Sequence, residues 1–370
     1  RAGCWARHEG RGGWGGGRPH RGRGGAQVTM GSWSSWVGGM VAEAQSSVGG
    51  VLGAVLGDSV EYEWLGGNLE GRVYVITGAN QGLGFEAAQM LAERGATVVL
   101  ACRNQQRMDD AQRKIDESLI SSSKASEGGK VVGVLLDLSE MESVKSFPAR
   151  FSRTGLSHIN GLLLNAAAAP GSLVNRVTNS QGWEIQTAVN TGHFALTNLL
   201  MADLLEAQRR FGLPSRVAMH SSFTHSHANS RHPIDLDAFP EYKGLSYGFT
   251  PMNCYIQTKC MQILHMHELN RRLAAAGLEK IVQAVSCHPG IADTGVWRNY
   301  WMLYNVFLRP FTLSARQGSL PLVRCVLDFA VKPNAFLHPE RQFLSGQPYT
   351  VQVVEAEPSQ AMLRDLEQGG

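Results

Sequence analysis

Tyr255 and Lys259 have the most chemistry to offer, because Tyr-x3-Lys sets a phenol and an ammonium on one face of a helix. A free phenol ionises near pH ~10, too high for proton exchange at neutral pH, and a nearby ammonium stabilises the phenolate and lowers that value. Ser221 and Ser222 close an apolar run that starts at Arg216, a placing that turn chemistry alone would explain. Asn190 stands within a helical pattern, where asparagine is mildly unfavourable unless its amide has work to do. His220, His225, His227 and His232 cluster between that run and Tyr255. They lack the paired cysteines or carboxylates of a metal centre, so no metal is expected.

Upstream, Val73-Tyr74-Val75-Ile76 runs into Thr77-Gly78, and Gly82 and Gly84 follow just before an alanine-rich helical pattern. The pattern is a buried strand, a tight glycine turn and a helix N-terminus. Backbone N–H groups in such a turn close on a pyrophosphate, and the helix dipole favours the negative charge. A second apolar strand, 97–102, ends at Arg103-Asn104, where folds that prefer NAD carry an acidic residue for the ribose hydroxyl. Arg103 instead offers a planar cation that suits the 2′-phosphate of NADP, or simply caps the loop in solvent. Asp137, after a third strand, has the N-cap of the next helix as its plain reading.

These residues need a scaffold, and the chain alternates strand and helix to supply one. Strands fit 72–77, 97–102, 131–136, 161–165, 216–221 and 281–288, with a last one at 349–354. Helices fit near 83–94, 105–118, 140–152, 183–209, 252–276 and 314–329. Such alternation predicts an α/β chain with a single Rossmann-like, doubly wound parallel sheet and helices on both faces.

Spacing and order together resemble the short-chain dehydrogenase/reductase family. Thr77-Gly78-x3-Gly82-x-Gly84, Asp137-Leu138, Asn165-Ala166-Ala167, Asn190, Ser222, Tyr255-x3-Lys259 and Pro289-Gly290-x3-Thr294 follow in the family's order. Two positions depart from it: Ala167 stands for a glycine, and Thr258 for the commoner serine. Stretches such as Ala101-Cys102-Arg103-Asn104, Glu268-Leu269-Asn270-Arg271-Arg272-Leu273 and Arg309-Pro310-Phe311-Thr312 resemble the retinol-dehydrogenase and WW-domain-oxidoreductase branch. Some resemblance to light-dependent protochlorophyllide reductase is countered by Ile291, where that enzyme has cysteine.

The resemblance implies an oxidoreductase that interconverts a hydrophobic alcohol and its aldehyde or ketone with NADP(H), in preference to NAD(H). It makes Tyr255 the proton donor or acceptor, Lys259 the group that tunes Tyr255 and holds the nicotinamide ribose, Ser222 the anchor of the carbonyl oxygen, and Asn190 the holder of a water. It assigns cofactor contacts to Gly78, Asn80, Gly82, Leu83, Gly84, Arg103, Asp137, Leu138, Asn165, Tyr255, Lys259, Pro289 and Thr294. The competing readings are a protochlorophyllide-reductase-like enzyme and a non-catalytic NADP-binding scaffold, which has no use for all four of Asn190, Ser222, Tyr255 and Lys259. The family also implies pairing into a homodimer.

The chain has 370 residues, 43% hydrophobic and 18% charged, enough for a sizeable core. Its net charge of +3 is uneven: residues 1–28 hold six arginines against Glu9, so the rest carries −2. The domain is therefore not basic and no nucleic-acid partner is expected. Residues 1–29 read as a disordered Gly/Arg-rich extension, 30–67 as a leader, 68–357 as the NADP-binding dehydrogenase domain and 358–370 as a tail. Trp33, Trp36, Val37, Met40 and later apolar residues fall at helical spacing, so 31–57 is a candidate for a membrane interface, although six glycines at 38–57 oppose a stable helix. An aromatic–aliphatic stretch, 296–308, suits a lid over a lipophilic substrate or a second peripheral membrane contact. Six scattered cysteines without a C-x-x-C pair fit a cytoplasmic setting, with membrane association left open.

Overall fold

Runs of Val, Ile and Leu form strands that are buried on both faces, and the helices between them supply the cover. The computed structural model describes residues 67–121, 128–168, 177–227, 251–292, 312–339 and 351–355, by backbone alone at 226–227, 251–253 and 351–355. The expected extension and leader, Thr294, the 296–308 stretch, His232 and the tail lie outside the described residues.

The first half runs β1 (Val73–Thr77), α1 (Gly82–Ala92), β2 (Thr97–Cys102), α2 (Gln105–Ser121), β3 (Lys130–Leu135), α3 (Met141–Ser152) and β4 (Gly161–Leu164). The second runs α4 (Ile185–Leu199), α5 (Met201–Phe211), β5 (Ser215–His220), a 3-10 turn (Phe223–His227), α6 (Pro251–Ala275), β6 (Val282–Cys287), α7 (Ala315–Leu327), β7 (Ala335–Pro339) and β8 (Val351–Glu355). The sheet order is β3-β2-β1-β4-β5-β6-β7-β8, seven parallel strands with β8 antiparallel at the edge.

Alternation along the strands divides the core in two. Tyr74, Ile76, Val98 and Leu100 pack with Leu91, Ile115 and Val323 of α1, α2 and α7. Val73, Val75, Val99 and Leu162 pack with Phe147, Leu196, Leu204 and Ile263 of α3 to α6. The sheet is thus wound on both faces, as the sequence pattern implied.

The winding reverses beside β1. Val75 is opposite Val99 of β2 on one side and Leu162 of β4 on the other. A crevice opens at the carboxyl ends of strands where the order reverses, and ligands of open α/β sheets bind there. Thr77, Gly78 and Asn165 sit at this point.

Two expectations need correction. The helix expected over 183–209 is two helices that meet at Leu200, whose φ of −97° and ψ of 8° leave the helical region. β7 was not foreseen, and it pairs with β6 over only two residue pairs, Ser286 with Phe336 and Cys287 with Leu337.

Candidate active site

Glycine geometry makes the turn after β1 a cradle. Gly78 and Gly82 have φ of +67° and +58°, a region that favours glycine. A Cβ on Gly84 would lie 2.5 Å from Asn165 Nδ2 and 2.8 Å from the Gly78 carbonyl oxygen, so no side chain fits there. A Cβ on Gly82 would meet nothing within 4 Å, so the turn is open on that side. Helix α1 starts at Gly82 with its N-cap, Gln81, extended and making no side-chain cap, and with no acid in the first turn. An uncapped, acid-free helix start beside open space fits an anionic pyrophosphate.

Flanking groups hold this turn. The Gly78 N–H donates to Ala101 O at 2.8 Å, and the Ala79 and Asn80 N–H groups point at the Cys102 sulfur. Leu83 packs where α7 crosses, close to Gly318, so its side chain is a core contact. Arg103 is exposed immediately after β2, and Asn104 caps α2 by accepting from the Arg107 N–H at 2.9 Å. Asp137 Oδ1 accepts from Ser139 N at 2.9 Å and Ser139 Oγ at 2.6 Å, a local turn on that oxygen. Leu138 is buried, and its carbonyl lies so near α4 that a Cβ on Gly192 would sit 2.2 Å away.

Asn165, at the end of β4, ties the cradle to the rest of the site. Its Nδ2 donates to Thr77 O at 2.9 Å, and its Oδ1 accepts from His220 Nδ1 at 2.9 Å. His220 closes β5, and its carbonyl accepts from Lys259 Nζ at 2.7 Å. One polar chain therefore runs from the glycine turn through Asn165 and His220 to Lys259. The sequence did not single out His220, Thr77 or His193 for this role. Their partners across the site lie 39 or more positions away, so spacing gave no signal; a histidine on a buried strand end was the available clue.

The four expected reactive residues come together beside this chain. Tyr255 and Lys259 leave one face of α6, with Lys259 Nζ 5.5 Å from the Tyr255 ring centre. The Ser222 hydroxyl hydrogen-bonds the Tyr255 phenol, whereas Ser221 Oγ is turned away to donate to Lys259 O at 2.6 Å. Asn190, on α4, donates from Nδ2 to Thr258 O at 3.2 Å and so fastens α4 to α6. Burial pushes the Lys259 ammonium down to about 8. Burial also raises the Tyr255 phenol, and the Ser222 hydrogen bond opposes that rise only in part. The depressed phenol expected from the sequence is therefore not met in the protein alone, because desolvation outweighs its neighbours.

At the end of β6, Pro289 and Gly290 are half-buried, Gly290 has φ +71°, and its N–H donates to His288 Nδ1 at 3.0 Å. His288 packs among Phe223, Phe336 and His338, while His225 Nδ1 bonds Ser222 O at 2.6 Å. Among the described residues no group of three or more His, Cys, Asp or Glu could hold a metal, and no helix is long and apolar enough to cross a membrane.

Comparison with known proteins places this arrangement. The family model for short chain dehydrogenases matches residues 72–212. A WW domain-containing oxidoreductase from Gallus gallus is 36% identical over 73% of this chain and 61% of its own length. Human retinol dehydrogenase 11 is 32% identical over 70% of this chain and 74% of its own length. A short-chain type dehydrogenase/reductase from Mycobacterium marinum superposes with a TM-score of 0.52 at 16% identity, covering 70% of this chain and 90% of that one, and shows the fold alone. The chain spans about six tenths of the length of the WW domain-containing oxidoreductases it matches. With this sheet order, glycine cradle and Tyr255–Lys259 helix, the chain belongs to the short-chain dehydrogenase family of oxidoreductases.

Proposed function

We propose that the protein is an NADP(H)-dependent oxidoreductase that interconverts a lipophilic alcohol and its aldehyde or ketone. The observation that carries this reading is the buried Lys259 within 5.5 Å of the Tyr255 ring, with Ser222 hydrogen-bonded to the phenol. A pure binding protein would not bury an ammonium at the cost that Lys259 bears.

The cradle residues Gly78, Gly82 and Gly84 and the start of α1 fit the cofactor pyrophosphate, Arg103 the 2′-phosphate, and Lys259 the nicotinamide ribose. When bound, the nicotinamide supplies or accepts the hydride. The chain handles the proton and the oxygen. Tyr255 Oη gives its proton to the carbonyl oxygen in reduction, or takes one from the hydroxyl in oxidation. Ser222 Oγ donates to the same oxygen and offsets its developing charge. Burial, which raises the phenol, keeps Tyr255 in its proton-donating form at neutral pH in the protein alone.

The lipophilic substrate class rests on the 296–308 stretch and on the retinol dehydrogenases among the relatives. The test is NADPH and NADH oxidation with retinoid, steroid and fatty-aldehyde carbonyls. Turnover with NADPH on at least one lipophilic carbonyl is expected. Turnover of small polar carbonyls only, or equal use of NADH, would overturn the substrate or cofactor assignment respectively.

A further inference from the structure

Among the clustered histidines, His225 meets a need that the reactive set leaves open, the holding of Ser222. Ser222 lies two residues beyond the end of β5, past the strand hydrogen bonds and past Ser221, whose N–H still reaches Cys287 O at 2.8 Å. Its place is therefore set by the 3-10 turn that follows, Phe223–His227. Such a turn is short and its hydrogen bonds are poorly aligned, so alone it fixes a side chain loosely. Here two groups of His225 converge on the Ser222 carbonyl oxygen, the backbone N–H at 3.1 Å and ring Nδ1 at 2.6 Å. A carbonyl oxygen only accepts, so Nδ1 carries a hydrogen and donates it, and both lone pairs of that oxygen are used. From the same turn, the Thr224 N–H donates to Ser222 Oγ at 3.3 Å. The hydroxyl held in this way is the one that hydrogen-bonds the Tyr255 phenol.

The His225 ring is itself braced. It stands edge-on to Phe336 of β7, with ring centres 4.8 Å apart, and the same phenyl ring lies 5.4 Å from His288. Phe336 is buried and pairs with Ser286 of β6, so it is a fixed backing. His288 Nδ1 accepts from the Gly290 N–H, and burial holds the His288 pKa down to about 3, so that ring is neutral with its hydrogen on Nε2. One phenyl ring thus backs two imidazoles with opposite tasks. His225 gives a hydrogen to the turn that carries Ser222, and His288 takes one from the Pro289-Gly290 turn.

We propose that His225 is a positioning residue for the reaction, fixing Ser222 through its carbonyl so that the Ser222 hydroxyl meets both Tyr255 Oη and the substrate oxygen. This rests on the reading of Ser222 and Tyr255 as the pair that handles that oxygen. His225 transfers no proton, and its hydrogen stays on Nδ1 throughout. Without the ring donor, the Ser222 carbonyl keeps one partner instead of two, the turn loosens, and the hydroxyl drifts from the phenol. A drift of about 1 Å in such a group costs up to roughly a hundred-fold in rate.

Variants of the full chain separate the hydrogen bond from the packing. His225→Phe keeps a ring against Phe336 and has no donor, whereas His225→Asn loses the ring and keeps an amide donor at the reach of Nδ1. His225→Phe should lower kcat for NADPH-dependent reduction of a lipophilic carbonyl about ten-fold or more, with NADPH affinity within about two-fold of wild type. His225→Asn should stay within about three-fold of wild type. Ser222→Ala should lower kcat about a hundred-fold, and adding His225→Phe to it should change kcat by less than about two-fold, since nothing is left to position. An additive double variant, or the reverse order with Asn damaging and Phe tolerated, is the mark of a merely structural ring and overturns the proposal. The 15N spectrum of the wild-type histidines decides the bond without any variant: His225 should carry its hydrogen on Nδ1 at neutral pH, and a bare Nδ1 overturns the proposal even if His225→Phe fails to fold. If wild type reduces no carbonyl at all, the catalytic reading of Ser222 and Tyr255 fails, while that spectrum still shows whether His225 holds Ser222.

Discussion

Lys259 shows most clearly how this site sets stability against function. Its fall from 10.5 to about 8 reports an ammonium that the fold disfavours, by roughly 3 kcal/mol. Below pH ~8 that cost is felt in full; it fades as pH rises to ~10.5, where the unfolded chain also loses the proton, so this group makes stability rise across the window. Lys259→Met removes the charge but leaves His220 O without its donor, a loss of about 1 kcal/mol. The net expectation is a variant more stable by roughly 1–2 kcal/mol at pH 7, lacking that rise between pH 8 and 10.5, and without turnover. Urea unfolding at several pH values measures it. In the wild type, reduction should weaken as pH climbs through about 8, because Lys259 then has no proton to pass on. Arg103 acts through a different charge. Arg103→Ala should raise KM for NADPH roughly ten-fold or more and leave KM for NADH within about three-fold, since only NADPH carries the 2′-phosphate. Steady-state kinetics with the two cofactors decides this.

Elements place those residues by close contact. Gly192 lets α4 approach the loop after β3, because a Cβ there would lie 2.2 Å from Leu138 O. Gly192→Ala should push the helix away, cost about 1–3 kcal/mol in chemical denaturation, and disturb Asn190 two residues earlier. The elements also show what the sequence reveals. Strands β1 to β6 were legible because each is a dense apolar run between turn signals, and Tyr255–Lys259 because helical spacing alone puts them on one face. The break at Leu200 was hidden, since an apolar residue with neither glycine nor proline nearby keeps the helical periodicity intact. β7 was hidden because Ala-Phe-Leu-His-Pro is short and carries a proline, and Asn334 before it takes φ +67°. The link from Thr77 to His193, 116 positions on, depends on how β1 and α4 meet, which no local pattern carries.

At the scale of the molecule, the crevice joins the glycine turn of the first half to the reactive helix of the second. A ligand that bridges both should stabilise the whole sheet. NADPH at about a hundred times its Kd should add roughly 2.7 kcal/mol of stability, seen as a rise in Tm, and NADH at the same concentration should add less. Equal shifts from both would argue that Arg103 does not reach the cofactor.

Tyr255→Phe tests the central claim most directly, because it removes one oxygen and little else. The measurement is NADPH-dependent reduction of a lipophilic carbonyl by wild type and variant, with NADPH affinity followed by cofactor fluorescence. The account predicts a loss of turnover of at least about a hundred-fold, with NADPH affinity within a few-fold of wild type. Undiminished turnover in Tyr255→Phe would contradict it.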